Sequence, residues 1–272
     1  MNPSGIITFL SDFGLEDGYV GIVKGVILGI NPRARIVDIT HQIPHGSILD
    51  AAFVLQEAWH FFPEGTVHLA VVDPGVGTTR RPIAVQAERH FFVGPDNGLF
   101  WPIIDRYPSS RIVHLNQEHY FRSEISDTFH GRDIFAPVAA HLATGVALQL
   151  LGPPIKNPSS LSIPVPEIRD NLLLGAVIRI DHFGNLITNI EKNTLEKFLG
   201  KDEAVIRIGD LHITGIARTY GETTPGKVIA LMGSAGLLEI AVCLGRAGDL
   251  DGLGAGNPLG MAVTVSRMGD DS

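Results

Sequence analysis

The sequence predicts an α/β protein: an N-terminal, mostly parallel sheet flanked by helices, followed by a small C-terminal β-barrel domain. Three observations carry that prediction. Short β-branched apolar runs alternate with helix-period stretches from residue 6 to residue 72, the pattern of βαβ units with right-handed crossovers. A proline-rich stretch between Gly152 and Pro166 then interrupts the chain. Beyond it, short strand-like runs dominate, which suits a barrel or sandwich. The expected division is an α/β domain over residues 1–155, a linker over 156–166 and a barrel over 167–272.

In chain order, Ile6 to Leu10 is a first buried strand that ends at Ser11-Asp12-Phe13-Gly14. Tyr19 to Ile30 carries apolar residues at Tyr19, Ile22, Val23, Val26, Ile27 and Ile30, a helical period that Asn31-Pro32 stops. Arg35 to Ile39 is the next strand. Ser47 is the N-cap of a helix to Phe61, with Asp50 at its third position. Val67 to Val72 is nearly continuous in apolarity, as a strand buried on both faces requires. It halts at Asp73-Pro74-Gly75-Val76-Gly77, a stiff turn closed by Thr78-Thr79-Arg80-Arg81. Pro82 to Ala87 and His90 to Val93 predict a hairpin near the sheet edge, and Gly94 to Gly98 a turn. Leu99 to Tyr107 is helical, Arg111 to Leu115 a strand, and Thr128 to Asp133 a polar loop leading into a helix over Ile134 to Ala143. The barrel strands are expected at Leu172 to Ile180, Leu186 to Ile190, Ala204 to Ile208, Lys227 to Met232, Leu237 to Val242 and Met261 to Val265.

Composition excludes several classes. Mean hydropathy is +0.20, yet the longest apolar candidate, Ile134 to Leu151, is broken by Pro137, His141, Thr144 and Gln149, so no membrane span is expected. A net charge of −8 without a basic run argues against nucleic acid. The single Cys243 excludes an internal disulfide and a thiolate cluster. With no basic leader before Ile6, a cytoplasmic protein is expected.

Acids at strand ends are the chemical signal, because open parallel sheets bind ligands beyond the carboxyl ends of their strands. Four loops stand out: Ser11 to Gly14, Asp73 to Arg81, Phe129-His130-Gly131-Arg132-Asp133, and Asp181-His182-Phe183-Gly184-Asn185. The Asp-Phe-Gly and His-x-Arg-Asp segments stand in the reverse of kinase order, without a glycine-rich nucleotide loop, and Gly75 to Thr79 lacks the lysine of a Walker loop. Asp12, Asp73, Asn97, His130 and His182 are ligand types for divalent ions, but the tight spacings of zinc hydrolases are missing, and no metal is expected.

With these four loops in this order, the chain resembles the S-adenosyl-L-methionine (SAM) hydroxide adenosyltransferase family, related to the fluorinase and chlorinase. The likeness runs from Ser11 to the segment Gly233-Ser234-Ala235-Gly236-Leu237-Leu238-Glu239-Ile240-Ala241-Val242. It implies hydrolysis of SAM to adenosine and L-methionine, SAM being substrate and no cofactor being needed. It also implies a homotrimer with active sites between subunits, completed by the barrel domain. The family's catalytic set falls on Asp73, Arg80 and His130, with Arg81 adjacent to Arg80. Asp12 matches the acid on the ribose hydroxyls; Asp181, Phe183, Asn185 and Ser234 match positions around methionine and adenine, and Glu239 and Val242 lie in the same matched strand. Asp12 could instead cap the helix that begins near Tyr19 or close an Asx turn, and Phe183 could fill the barrel core. Asp73 stands where the fluorinase pattern has a tyrosine, and Gly131 where it has a halide-contacting serine.

The chemistry is plausible without the name. Arg80 supplies a permanent positive charge, Asp73 an acceptor that aims a water, and His130, with an ordinary pKa of about 6.5, the expected proton acceptor. A non-catalytic SAM or adenosine binder and a halide-using adenosyltransferase are the alternatives.

Overall fold

The computed structural model describes residues 2–250, 252–253 and 257–269. They form two compact units, one up to Ser162 and the other from Ile163 onward. The first contains β1 (Ile6–Ser11), α1 (Tyr19–Ile30), β2 (Arg35–Thr40), α2 (Ile48–Ala58), β3 (Val67–Val71), β4 (Pro82–Ala87), β5 (His90–Pro95), α3 (Trp101–Arg106), β6 (Arg111–His114) and α4 (Ala136–Thr144). Its six strands lie in the order β2-β1-β3-β5-β4-β6. The first four are mutually parallel, β4 runs antiparallel to them, and β6, antiparallel to β4, resumes their direction.

Strand alternation distributes the apolar runs over two buried faces. Ile7, Phe9, Leu69 and Val71 pack with Val23 and Ile27 of α1 and Val138 of α4. Leu10, Ala70, Val72 and Phe92 pack with Leu55 of α2 and Ile103 of α3. Each fully buried Leu or Phe here contributes about 1.5–3 kcal/mol. That double burial explains why β1 and β3 read as continuous apolar stretches. One polar chain crosses the second face: His68 Nδ1 meets Thr8 Oγ1 at 2.8 Å and its Nε2 meets His90 Nδ1 at 3.1 Å. Burial holds His68 well below the usual histidine pKa, so the ring is neutral. Ser47 caps α2 by accepting the Asp50 N–H.

The second unit is antiparallel: β7 (Glu167–Arg169), β8 (Leu172–Ile180), β9 (Leu186–Glu191), α5 (Lys192–Leu199), β10 (Ala204–Ile208), β11 (Leu211–Thr214), β12 (Val228–Met232), β13 (Leu237–Val242) and β14 (Ala262–Arg267). The order is β11-β10-β14-β8-β9-β13-β12, with β7 beside β8. A bridge between Ala217 and Leu231 brings the chain after β11 to β12 and nearly closes the barrel. Leu173, Val177, Ile190, Ile206, Leu238 and Val263 fill it, together with Leu195 and Phe198 of α5.

Several local expectations need correction. Gly94 and Pro95 belong to β5, since β4 pairs along its whole length and sets Pro82 opposite Pro95. The polar loop before α4 is partly helical: Gly131–Phe135 is a π-helical turn that runs directly into α4. Strands β7 and β11 and helix α5 were not expected. No helix among the described residues is long and apolar enough to cross a membrane.

Candidate active site

The sheet delivers Asp73 to its site two residues after β3 ends. Asn97 fixes the approach by donating to the Val72 carbonyl at 2.9 Å. The loop then turns back on itself: the Val76 N–H donates to the Asp73 carbonyl at 3.2 Å and the Thr78 hydroxyl to the Gly75 carbonyl at 2.6 Å. Gly77 has φ +75°, and a Cβ there would lie 2.4 Å from the Asp127 carbonyl oxygen, so only glycine lets this loop touch the segment that leads to His130. The turn returns Arg80 onto Asp73. Arg80 Nε donates to both carboxylate oxygens at 2.9 Å, and Nη2 donates to Oδ2 at 2.5 Å. Asp73 is only 6% exposed at its side chain, so this pair sits largely away from water.

The neighbouring arginine goes elsewhere. Arg81 Nε donates to Asp96 Oδ2 at 2.8 Å and Nη2 to the Asn157 carbonyl at 2.6 Å, while Asp96 Oδ1 accepts the Ser159 N–H at 2.7 Å. Arg80 faces Asp73 and Arg81 anchors the far end of the same loop.

Arg80 Nη2 also lies 2.7 Å from His130 Nδ1. A guanidinium only donates, so Nδ1 is the acceptor, and the neutral ring carries its proton on Nε2. Burial first, and the Arg80 charge second, hold the His130 pKa below its ordinary value. In this geometry neither nitrogen is a free base; the ring presents Nε2–H as a donor. His130 precedes the π-helical turn, a rare conformation frequent at functional sites. The turn is fastened by Asp133, fully buried, which accepts from Arg132 Nε and Nη2 at 2.7 and 2.8 Å and from the Ser126 N–H at 2.9 Å. At Gly131 a Cβ would come within 3.1 Å of Phe13 Cζ and 3.4 Å of Val71 Cγ1.

Asp12 follows β1. Its Oδ2 accepts the Gly46 N–H at 2.9 Å, with His45 Nδ1 at 3.3 Å. It caps no helix, because α1 starts from Gly18 without a side-chain cap, and its bond to a residue far along the chain is no Asx turn. Oδ1 has no hydrogen-bond partner among the described residues.

In the second unit Asp181 closes the β8–β9 turn by accepting Asn185 N–H at 2.8 Å and Asn185 Nδ2 at 2.9 Å. Phe183 is 72% exposed at the tip of that turn and takes no part in the barrel core. Tyr220 joins this group: its hydroxyl lies 3.5 Å from Asn185 Nδ2 and donates to Glu239 Oε2 at 3.2 Å. Burial, then the Glu239 charge, raises its pKa. Ser234 is exposed in the β12–β13 turn. Val242 packs in the barrel core, and its carbonyl accepts the Gly245 N–H at 3.1 Å. The structure thus joins Asp73, Arg80 and His130 in the first unit and Asp181, Asn185 and Glu239 in the second. Asn97, Asp133 and Tyr220 were missed as supports; the first two lie in polar clusters that the sequence does display, whereas Tyr220 has no local signal. Among the described residues no three His, Cys, Asp or Glu side chains converge as a metal site.

Comparison with known proteins gives matches across both units. The model of the SAM hydroxide adenosyltransferase N-terminal domain matches residues 7–152, and that of the C-terminal domain residues 175–260. The chain is 39% identical over 262 residues to the (R)-S-adenosyl-L-methionine hydrolase of Salinispora tropica, covering 95% of this chain and 98% of that one. It is 30% identical over 270 residues to a fluorinase of Nocardia brasiliensis, covering 87% and 89%. A crystal structure of an uncharacterized conserved protein from Thermotoga maritima superposes with a TM-score of 0.88 at 37% identity, covering 96% and 100%.

Proposed function

The chain belongs to the SAM hydroxide adenosyltransferase family, and from that premise we propose that its Asp73–Arg80–His130 constellation is where SAM is cleaved. The protein is an enzyme that hydrolyses SAM to adenosine and L-methionine. Water attacks the ribose 5′ carbon in line with the C–S bond. The new O–C5′ bond forms as the C5′–S bond breaks, and the electron pair leaves on sulfur as a neutral thioether. A sulfonium leaving group needs no acid, so the site has to orient one water and take up its proton. The contact that carries this reading is the forked bond of Arg80 to Asp73, extended to His130. Asp73, the fixed carboxylate, aims the water and receives its proton. His130 Nε2–H steadies the oxygen. Placing the water about 3–3.5 Å from carbon in a near-attack geometry is a large part of what such a site can supply. Asp12 receives the ribose hydroxyls on its open Oδ1, while Asp181, Phe183, Asn185, Ser234, Glu239 and Val242 serve the adenine and methionine ends.

A halide-using reaction fits this chain less well. Asp73 places a carboxylate where an anion would enter, and it carries the discrimination, since Gly131 is shared with the chlorinase pattern. The direct test is purified protein with SAM and EDTA: adenosine and methionine appear at the same rate as without chelator. SAM binding without product would identify a sensor, and loss of activity with EDTA a metal-dependent hydrolase.

His130 sets the acid limb. Because its neutral form is the one that accepts from Arg80, and its pKa is lowered, the turnover rate holds as pH falls through about 6.5 and declines only below it. A decline centred above that pH would contradict the neutral ring.

The working assembly is a closed homotrimer with active sites at subunit interfaces, in which an apolar tip as exposed as Phe183 is covered. Light scattering gives three chains per particle; a fully active monomer would exclude it. The single cysteine, Cys243, suits a reducing cytoplasm.

A further inference from the structure

We propose that the buried Ser11 and His41, with the exposed Asp38 behind them, form a relay whose task is to hold Asp12 in place for the substrate, with His41 as the positioning residue. The inference rests on Asp12 being a SAM-binding acid, as above. His41 Nδ1 lies 2.8 Å from Ser11 Oγ and His41 Nε2 lies 3.1 Å from Asp38 Oδ1, out of line for a strong hydrogen bond. Lys24 Nζ closes the series 2.6 Å from Asp38 Oδ2. Ser11 is fully buried and His41 3% exposed, with the Phe9 ring 4.6 Å from the imidazole.

The donors and acceptors have one consistent order. The Phe13 N–H donates to Ser11 Oγ at 3.4 Å, and the Ser11 hydroxyl then donates to His41 Nδ1. Nε2 faces the Asp38 carboxylate, which can only accept and also accepts from Lys24, so the proton of the neutral ring is on Nε2 and Nδ1 is left to accept from Ser11. Although the residue types are those of a hydrolytic triad, Ser11 has no exposed surface and cannot reach a substrate. What the relay does reach is the loop around Asp12. Ser11 and Phe13, the residues on either side, meet at one hydroxyl; the Gly14 N–H donates to the His41 carbonyl at 2.8 Å; and the Asp12 carboxylate is pinned by Gly46 N–H in the same segment as His41. One carboxylate oxygen is fixed and the other is left open. A turn that needed only closure would be served by the backbone bond alone, without two buried polar side chains, Ser11 and His41, linked to each other behind it.

The test measures SAM affinity by calorimetry and kcat in the full chain, for Ser11→Ala, His41→Leu, His41→Asn, Asp12→Asn and the Ser11→Ala/Asp12→Asn pair. Ser11→Ala and His41→Leu should each weaken SAM binding about tenfold with kcat changed by less than about threefold, and His41→Asn, which keeps an acceptor toward Ser11, should restore most of it. In the Asp12→Asn background, Ser11→Ala should add less than about twofold, because its effect travels through Asp12. Ser11→Ala is a small change that keeps the fold testable if His41→Leu does not fold. A full, multiplicative penalty of Ser11→Ala without the Asp12 carboxylate would overturn the relay and leave a general packing role. Unaltered affinity in Asp12→Asn would overturn the Asp12 reading and the relay together. Binding that is coupled as stated in a protein without turnover would support the relay while refuting hydrolysis.

Discussion

Replacing Asp73 with Asn should lower SAM hydrolysis by about 10²–10³-fold while changing SAM affinity by less than about threefold, within the range for loss of a positioned proton acceptor. Both carboxylate oxygens accept from Arg80 in the native site. An amide keeps one acceptor but turns an N–H₂ toward a guanidinium that can only donate. The fork is then broken, the water loses its aim, and the attacking oxygen loses its proton acceptor. Affinity is spared because Asp12, Asn185 and the second-unit residues hold the rest of the substrate. The same variant relaxes the barrier to anions: a carboxylate 4 Å from a halide at an effective dielectric of 20 repels it by about 4 kcal/mol before Arg80 compensates. Steady-state kinetics with calorimetry separates the two effects, and full activity in the amide variant would end the role assigned to Asp73.

Arg80→Ala should be the more damaging change, lowering turnover by at least about 10³-fold and stability by about 3–5 kcal/mol, the cost of leaving one partner of a buried ion pair uncompensated. Its guanidinium serves Asp73 and His130 at once, and both would be left without their donor. Arg80→Lys should restore part of the melting temperature and little of the rate, because a single ammonium cannot reproduce the two-oxygen fork and also reach Nδ1. Arg81→Ala provides the contrast. It removes contacts to Asp96 and Asn157 and should loosen the loop while sparing most activity. If Arg81→Ala were the inactive variant and Arg80→Ala the tolerated one, the catalytic roles given to the two arginines would be reversed.

These two arginines also mark how far the sequence alone can be read. Strands β1 and β3 were legible because burial on both faces forces a continuous apolar run, and α1 because its period is strong. The acid at the end of β3 followed directly. Which arginine folds back on that acid was not legible from adjacent, chemically identical side chains. It is decided by Asp96 and Asn157, 15 and 76 residues along the chain from Arg81. The hairpin lies near the edge as its sequence suggests, and the strand beyond it, β6, is chosen by pairing that no local signal records. Helix α5 escaped notice since Leu195, Phe198 and Leu199 form its buried stripe inside an otherwise polar segment. The sequence makes His130 the proton acceptor, but its Nδ1 stands against a permanent donor, a contact made 50 residues away along the chain.

The central claim is that water, aimed by Asp73, attacks the ribose 5′ carbon. Reaction in water labelled with heavy oxygen, in the presence of excess chloride and fluoride, tests it most directly by mass spectrometry of the nucleoside product. The predicted result is adenosine carrying one heavy oxygen at its 5′ position and no 5′-halo-5′-deoxyadenosine. Unlabelled adenosine, or halogenated nucleoside as the main product, would contradict it.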